Sequence, residues 1–120
     1  MNETEKLFYD VLMPVQSNIT VIATSTTSGQ TAIPAAWAGS FVTFEADGVD
    51  CYMAIGANPT ADPTATGVGA GNVCVKLPAD QPRTFFFPRG DSTNTTIALI
   101  AASGTPKVRA YRSSPTVQGA

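Results

Sequence analysis

Ser40-Phe41-Val42-Thr43-Phe44-Glu45-Ala46-Asp47-Gly48-Val49-Asp50-Cys51-Tyr52-Met53-Ala54-Ile55-Gly56 is the stretch that decides the fold. Successive side chains of a strand point to opposite faces, so a period of two marks a half-buried strand. Before the Asp47-Gly48 pair, Val42, Phe44 and Ala46 fall on one face and Phe41, Thr43 and Glu45 on the other. After it, Val49, Cys51, Met53 and Ile55 alternate with Asp50, Tyr52 and Ala54. An Asp-Gly pair between two alternating runs favours a tight type I′ hairpin, which needs positive φ at both central residues. That turn would set Ala46 opposite Val49, Phe44 opposite Cys51 and Val42 opposite Met53. All the apolar alternates would then share one face. The expectation is a pair of adjacent antiparallel strands, with Glu45 and Asp50 opposite each other on the polar face.

The same period extends outward. Ile19, Val21 and Ala23 alternate with Thr20, Ile22 and Thr24, a run rich in branched residues that suits a strand. Ser25–Gln30 reads as a polar turn region. Residues 33–39 are irregular and are expected to cross one end of the fold, with Trp37 plugging the rim of the core and its indole N–H finding a partner. The alternative for Trp37 is an exposed platform for a sugar ring. Val73, Val75 and Leu77 alternate with Cys74 and Lys76 before Pro78. Prolines 82 and 88 bracket Arg83-Thr84-Phe85-Phe86-Phe87, as suits a short edge strand, with Phe85 and Phe87 inward and Phe86 outward. Ile97, Leu99 and Ala101 share a face with Val108 and Ala110 if a loop of two or four residues joins two strands of a final hairpin. The count is about seven strands, which predicts an all-β antiparallel sandwich or small barrel over residues 17–113.

Residues 1–16 differ. Leu7, Phe8, Tyr9, Val11, Leu12, Met13 and Val15 cluster without strict alternation, and Pro14 stops any helix or strand. They form either a first strand or an N-terminal arm that packs on its own domain or on a neighbour. Residues 114–120 read as a loose tail. Gly56 to Asn72 is a long loop broken by Pro59 and Pro63, of the kind that is functional or mobile in small domains. Its Gly67-Val68-Gly69-Ala70-Gly71 run lacks the Lys-Ser/Thr ending of a phosphate loop and precedes a strand, which excludes nucleotide binding there.

At 120 residues the chain is one domain. Only 13% of its residues are charged, about half the usual share, and the net charge is −2. There is no histidine, hence neither the commonest general base nor the commonest metal ligand. These features argue against a metalloenzyme, a Ser-His-Asp hydrolase, a membrane protein and a DNA-binding module. No cofactor or metal is expected. The acidic start, and Asp10 within the apolar run, are unlike a secretory signal and point to folding in a cytoplasm. Cys51 and Cys74 are read as two small, partly buried thiols on opposite faces, which disfavours the other possibility, a disulfide.

Acid–base chemistry needs positioned, partly buried titratable groups. Asp47, Asp62 and Asp91 fall in turns or loops, where aspartate's ordinary role is to shape the turn. Glu45 and Asp50 could sit as close as a retaining-glycosidase pair, but a tight hairpin leaves no cleft beside them, and the juxtaposition is read as coincidence. Charge is uneven along the chain. Residues 1–72 carry one lysine against seven acids, net −6, and residues 73–120 carry six basic residues against two acids, net +4. Either these charges are scattered and solvated, or they make a self-complementary surface that favours head-to-tail neighbours. Arg109, Tyr111 and Arg112 on one strand are too few to argue for single-stranded nucleic acid.

The run Trp37-Ala38-Gly39-Ser40-Phe41 through Ile55-Gly56, with Leu77-Pro78-Ala79-Asp80, Phe85-Phe86-Phe87 and Ala101-Ala102-Ser103-Gly104-Thr105, resembles small β-sandwich virion proteins of tailed bacteriophages. The likeness spans about residues 17–113 and is one of strands and turns, with no catalytic signature. It departs at Asp80, where such proteins usually carry glycine. It implies a non-enzymatic structural protein of the virion, a capsid decoration or cement protein on the capsid surface. Such a protein binds the assembled major capsid protein, or copies of itself, and neither nucleic acid nor membrane. A head–tail connector, a tail component or a carbohydrate-binding module using Trp37 and Tyr52 are the alternatives. Under this reading the candidate capsid or subunit contact residues are Leu7, Phe8, Tyr9, Val11, Leu12, Phe86, Arg109 and Arg112, and either the N-terminal arm or the 56–72 loop touches the capsid.

Overall fold

A computed structural model describes residues 16–69, 72–88 and 94–112 of the chain. The alternating stretches form strands, and their apolar alternates are buried: Val42, Phe44 and Ala46 before Asp47, Cys51 and Met53 after it. The described residues contain eight strands: β1 (Ile19–Ala23), β2 (Gly29–Ala32), β3 (Ser40–Ala46), β4 (Cys51–Gly56), β5 (Val75–Leu77), β6 (Arg83–Phe87), β7 (Thr96–Ala101) and β8 (Lys107–Arg112). They make two four-stranded sheets, ordered β1-β8-β3-β6 and β2-β7-β4-β5, with every strand pair antiparallel. The fold is an all-β sandwich. Its core is one cluster that includes Ile22, Trp37, Val42, Phe44, Met53, Leu77, Phe87, Leu99 and Val108. Phe44 sits at the centre, with its ring 6.0 Å from that of Phe85 and 6.1 Å from that of Phe87.

The expected hairpin at Asp47-Gly48 does not form. β3 pairs with β6 and β8, and β4 pairs with β5 and β7, so the two strands lie in different sheets. The partner of Phe44 is Ala110 on one side and Arg83 on the other, not Cys51. Gly48 does take positive φ, at 77°, but among the described non-glycine residues only Asp80 does so. Asp47 therefore lacks the backbone that a type I′ turn requires. Alternation tells which face of a strand is apolar, and both arrangements bury that face: side by side in one sheet, or opposed across a sandwich. The final pair repeats the pattern. Ile97, Leu99 and Ala101 on β7 and Val108 and Ala110 on β8 are all buried, yet β7 and β8 belong to opposite sheets.

Other departures have local causes. Gly29–Ala32, expected to be largely turn, is an edge strand paired with β7. It has no apolar alternation because its side chains are exposed or half-buried, and main-chain bonding to β7 places it in the sheet. Val75 and Ile55 are exposed rather than core, because each lies where the sheet edge runs out. In β1 the inward set is Ile22 with Thr24, while Val21 faces out. Arg83–Phe87 is the edge strand expected, with Phe87 buried, Phe85 packed against the core and Phe86 outside. Trp37 ends a 3-10 turn over Ala35–Trp37 and is 3% exposed, its Nε1 donating to the Ser17 carbonyl at 3.4 Å. That is the rim plug, and it removes Trp37 as a sugar platform.

Phe44→Ala should lower the unfolding free energy by about 3–5 kcal/mol in urea titrations, the usual range for emptying a buried aromatic site. Phe86→Ala, on the outer face of an edge strand, should change it by less than about 1 kcal/mol.

Candidate interaction surface

The acidic side chains that sequence offers for chemistry are engaged at one end of the sandwich. At that end the chain crosses between sheets at residues 24–28, 47–50, 78–82 and 102–106, and these carboxylates act at the second and third crossings. Asp47 turns its carboxylate to β8, where Arg109 Nε donates to Oδ2 at 3.1 Å. Asp50 turns to the other sheet: its Oδ1 accepts from the Ala79 N–H at 2.8 Å and its Oδ2 lies 3.3 Å from Lys76 Nζ on β5. Asp80 links the two crossings, its Oδ1 accepting from the Gly48 N–H at 3.0 Å and its own N–H donating to the Ala46 carbonyl at 2.8 Å. The φ of Asp80 is 56°, in the left-handed region. Aspartate tolerates that region better than most residues, so it stands where glycine would otherwise be favoured. Glu45 and Asp50 are not neighbours: Glu45 pairs opposite Arg109 on β8.

The 57–69 segment is tied down in the same manner. Its first part is pinned to β2 and the turn before it. Gln30 Nε2 donates to Asn58 Oδ1 and to the Pro59 carbonyl, both at 2.8 Å, and the Ala61 N–H donates to Ser28 Oγ at 2.9 Å. Asp62 then holds the bend, its Oδ1 accepting from the Thr64 N–H at 2.9 Å and the Thr64 hydroxyl at 2.7 Å, while Asn72 Nδ2 donates to Oδ2 at 3.3 Å. Only its far tip stands clear, with Val68 fully exposed. Both cysteines are free thiols, Cys51 buried and Cys74 half-buried, and burial pushes both above the ordinary thiol range.

The outer face of the β1-β8-β3-β6 sheet carries the other exposed side chains of interest. Register places Phe41 beside Phe86, Thr43 between Tyr111 and Thr84, and Glu45 beside Arg109, which is itself beside Val21. Phe41 is 48% and Phe86 51% exposed, with ring centroids 5.1 Å apart. The Thr43 and Thr84 hydroxyls are 2.8 Å apart and hydrogen-bonded. The face is therefore flat, apolar at one end and polar at the other. Of the contact residues expected from sequence, Phe86 lies on it fully and Arg109 partly, since the guanidinium of Arg109 is engaged by Asp47. Arg112 is turned away: its Nη1 donates to the Ala36 carbonyl at 2.8 Å at the end of the sandwich. Leu7, Phe8, Tyr9, Val11 and Leu12 lie outside the described residues, as do the tail at 114–120 and most of the 91–94 turn. Sequence reasoning did not single out Phe41, although its place opposite the buried Val42 and Phe44 was the signal.

Among the described residues no three His, Cys, Asp or Glu side chains come together as a metal site, and no helix is long and apolar enough to cross a membrane. The described residues form an all-β sandwich with an aromatic pair on one outer sheet face. Comparison with known proteins gives no matching family model, curated relative or solved structure.

Asp50 is held below the ordinary carboxylate range, first by the Ala79 N–H and then by Lys76, and Asp62 is lowered by the hydroxyl and N–H of Thr64. A carboxyl whose folded value is depressed adds stability above its unfolded value, about 4, and loses it as pH falls through the lower folded value. Melting temperature should therefore fall as pH is lowered below about 4. Asp50→Asn should melt lower at pH 7 and show a shallower acid limb, read by circular dichroism across pH 2–7.

Proposed function

We propose that this chain is a non-enzymatic structural protein of a bacteriophage virion, a decoration protein that binds the assembled shell of major capsid protein and stabilises it. The observation that carries the reading is the outer sheet face, where Phe41 and Phe86 stand half-exposed and in contact. Large exposed aromatic patches on a small domain mark contact surfaces, and aromatic residues are enriched at the cores of such contacts. The engagement of Asp47, Asp50, Asp62 and Asp80 in corners and bends also supports it, because those carboxylates already serve the fold. The resemblance of residues 17–113 to small phage β-sandwich proteins supplies the identity of the partner.

Cement action needs no reaction. A protein that binds the assembled shell and not its free subunits shifts the equilibrium toward the shell by mass action. The aromatic end of the sheet would lie against the shell, with the N-terminal residues 1–15 as a second point of attachment.

The test is co-sedimentation with shells assembled from the major capsid protein of the phage that encodes this chain. The wild-type protein should pellet with shells and raise the temperature at which they release their contents. Phe86→Asp should reduce occupancy at least tenfold with an unchanged circular dichroism spectrum. Undiminished occupancy for Phe86→Asp would remove this face from the contact, and failure of the wild-type protein to pellet would refute the decoration role.

A further inference from the structure

Asp47-Gly48 is the one Asp-Gly step in the chain, which has no Asn-Gly step. Such a step is where a polypeptide isomerises without an enzyme, because glycine sets no side chain beside its own nitrogen. The Gly48 nitrogen attacks Cγ of the protonated Asp47 carboxyl. A C–N bond forms, a carboxyl C–O bond breaks, and the hydroxyl leaves as water with the N–H proton. Water then opens the resulting five-membered imide at either carbonyl. One opening restores aspartate. The other leaves isoaspartate, in which the main chain runs through the former side chain. Nothing is oxidised or reduced, and water is the only co-reactant.

In the folded chain both reacting groups are held. The Gly48 N–H donates to Asp80 Oδ1 at 3.0 Å. Asp47 Oδ2 accepts from Arg109 Nε at 3.1 Å, and the Asp47 N–H donates to the Lys107 carbonyl at 2.9 Å. Bulk does not shield the step. Gly48 is exposed, and apart from its chain neighbours no heavy atom lies within 4 Å of where a Cβ on it would sit. Attack requires the nitrogen to give up its proton, and the Asp80 carboxylate both holds that proton and sets negative charge against the anion that would form. Attack also requires the Asp47 carboxyl to swing onto the Gly48 nitrogen, which breaks its bond to Arg109 on β8.

We propose that Asp47-Gly48 is a latent isoaspartate site and that Asp80 keeps it closed in the folded chain. The backbone of Asp80 supports this assignment. Among the described residues it is the one non-glycine with positive φ, at 56°. A residue held in that region carries a conformational cost that its side chain must offset, and the carboxylate of Asp80 does so at the Gly48 N–H. Opening the site would have a structural consequence. Isoaspartate adds a carbon to the main chain between Ala46 and Gly48, within the crossing that sets β3 and β4 in opposite sheets. It also replaces the carboxylate that Arg109 binds. This goes beyond shell binding and needs no partner to be true.

The test ages the full-length wild type, Asp80→Gly and Asp80→Asn at neutral pH, beside wild type unfolded in guanidinium chloride. Isoaspartate at position 47 is read by peptide mapping with electron-transfer fragmentation. A folded site reacts only while it is locally open, so the folded wild type should isomerise at least about tenfold more slowly than the unfolded chain. Asp80→Gly suits the local φ but lacks the acceptor, and should isomerise about fivefold faster than wild type, the scale of one net hydrogen bond. That gain is counted above the contribution of its unfolded fraction, measured by denaturant titration. Asp80→Asn keeps an acceptor oxygen and should stay within about twofold of wild type. Hydrogen exchange at the Gly48 amide should be slowed in wild type and fast in Asp80→Gly. Folded wild type ageing at the unfolded rate, or a Gly48 amide unprotected in wild type, would overturn the proposal without recourse to any variant. Asp80→Gly no faster than wild type would overturn it as well. Asp80→Gly slower than wild type would make Asp80 the base that promotes attack, the opposite role.

Discussion

The structure depends on how two of the four crossings at one end of the sandwich are fastened to each other. Residues 47–50 carry the chain from β3 to β4 and residues 78–82 carry it from β5 to β6, so each crossing joins the same two sheets at the same end. Asp47, Asp50 and Asp80 bind across these links to Arg109, Ala79, Lys76 and Gly48. A parallel bridge between Ala46 and Ala79 adds to the seam. Charge-assisted bonds to main-chain N–H groups are stronger than neutral ones, and here they satisfy backbone that no ladder covers. With the corners set, the apolar faces of β3 and β4 have one arrangement available, opposed across the core, with Phe44 between the sheets.

This is also why the sequence was legible in one respect and opaque in another. Alternation identified the buried set of residues 42–46 and 51–53, the outward Phe86, and Trp37 as a rim plug. It could not identify strand partners, because opposed and adjacent strands bury the same alternates. Asp47-Gly48 pointed to a hairpin on the strength of Gly48. The deciding facts were the destinations of the Asp47 and Asp50 carboxylates, at Arg109 on β8 and at Ala79 in the next crossing, 62 and 29 residues away in sequence. The edge strand β2 was invisible for a different reason: it is held by main-chain pairing with β7, and its Gln30 and the neighbouring Ser28 serve the 57–69 segment, so no apolar period marks it. Of the interaction surface, Phe86 was readable and Phe41 was overlooked, while Arg112 was misjudged because its turn toward Ala36 is a tertiary event.

Function, on this account, follows from what the sandwich leaves over. The aspartates that might have served chemistry serve the corners, and the aromatic residues that exceed the needs of the core lie on an outer face. A domain of this size gains little from exposing such surface to water, and gains more by covering it within an assembly.

The most direct test of the account is the pairing of β3 and β4 in solution. Isotope-labelled protein should show main-chain nuclear Overhauser contacts between Phe44 and Ala110 and between Met53 and Leu99, ladder partners within one sheet and within the other. Main-chain contacts between Phe44 and Cys51 would place β3 and β4 side by side as a hairpin and would contradict the crossing on which everything else rests.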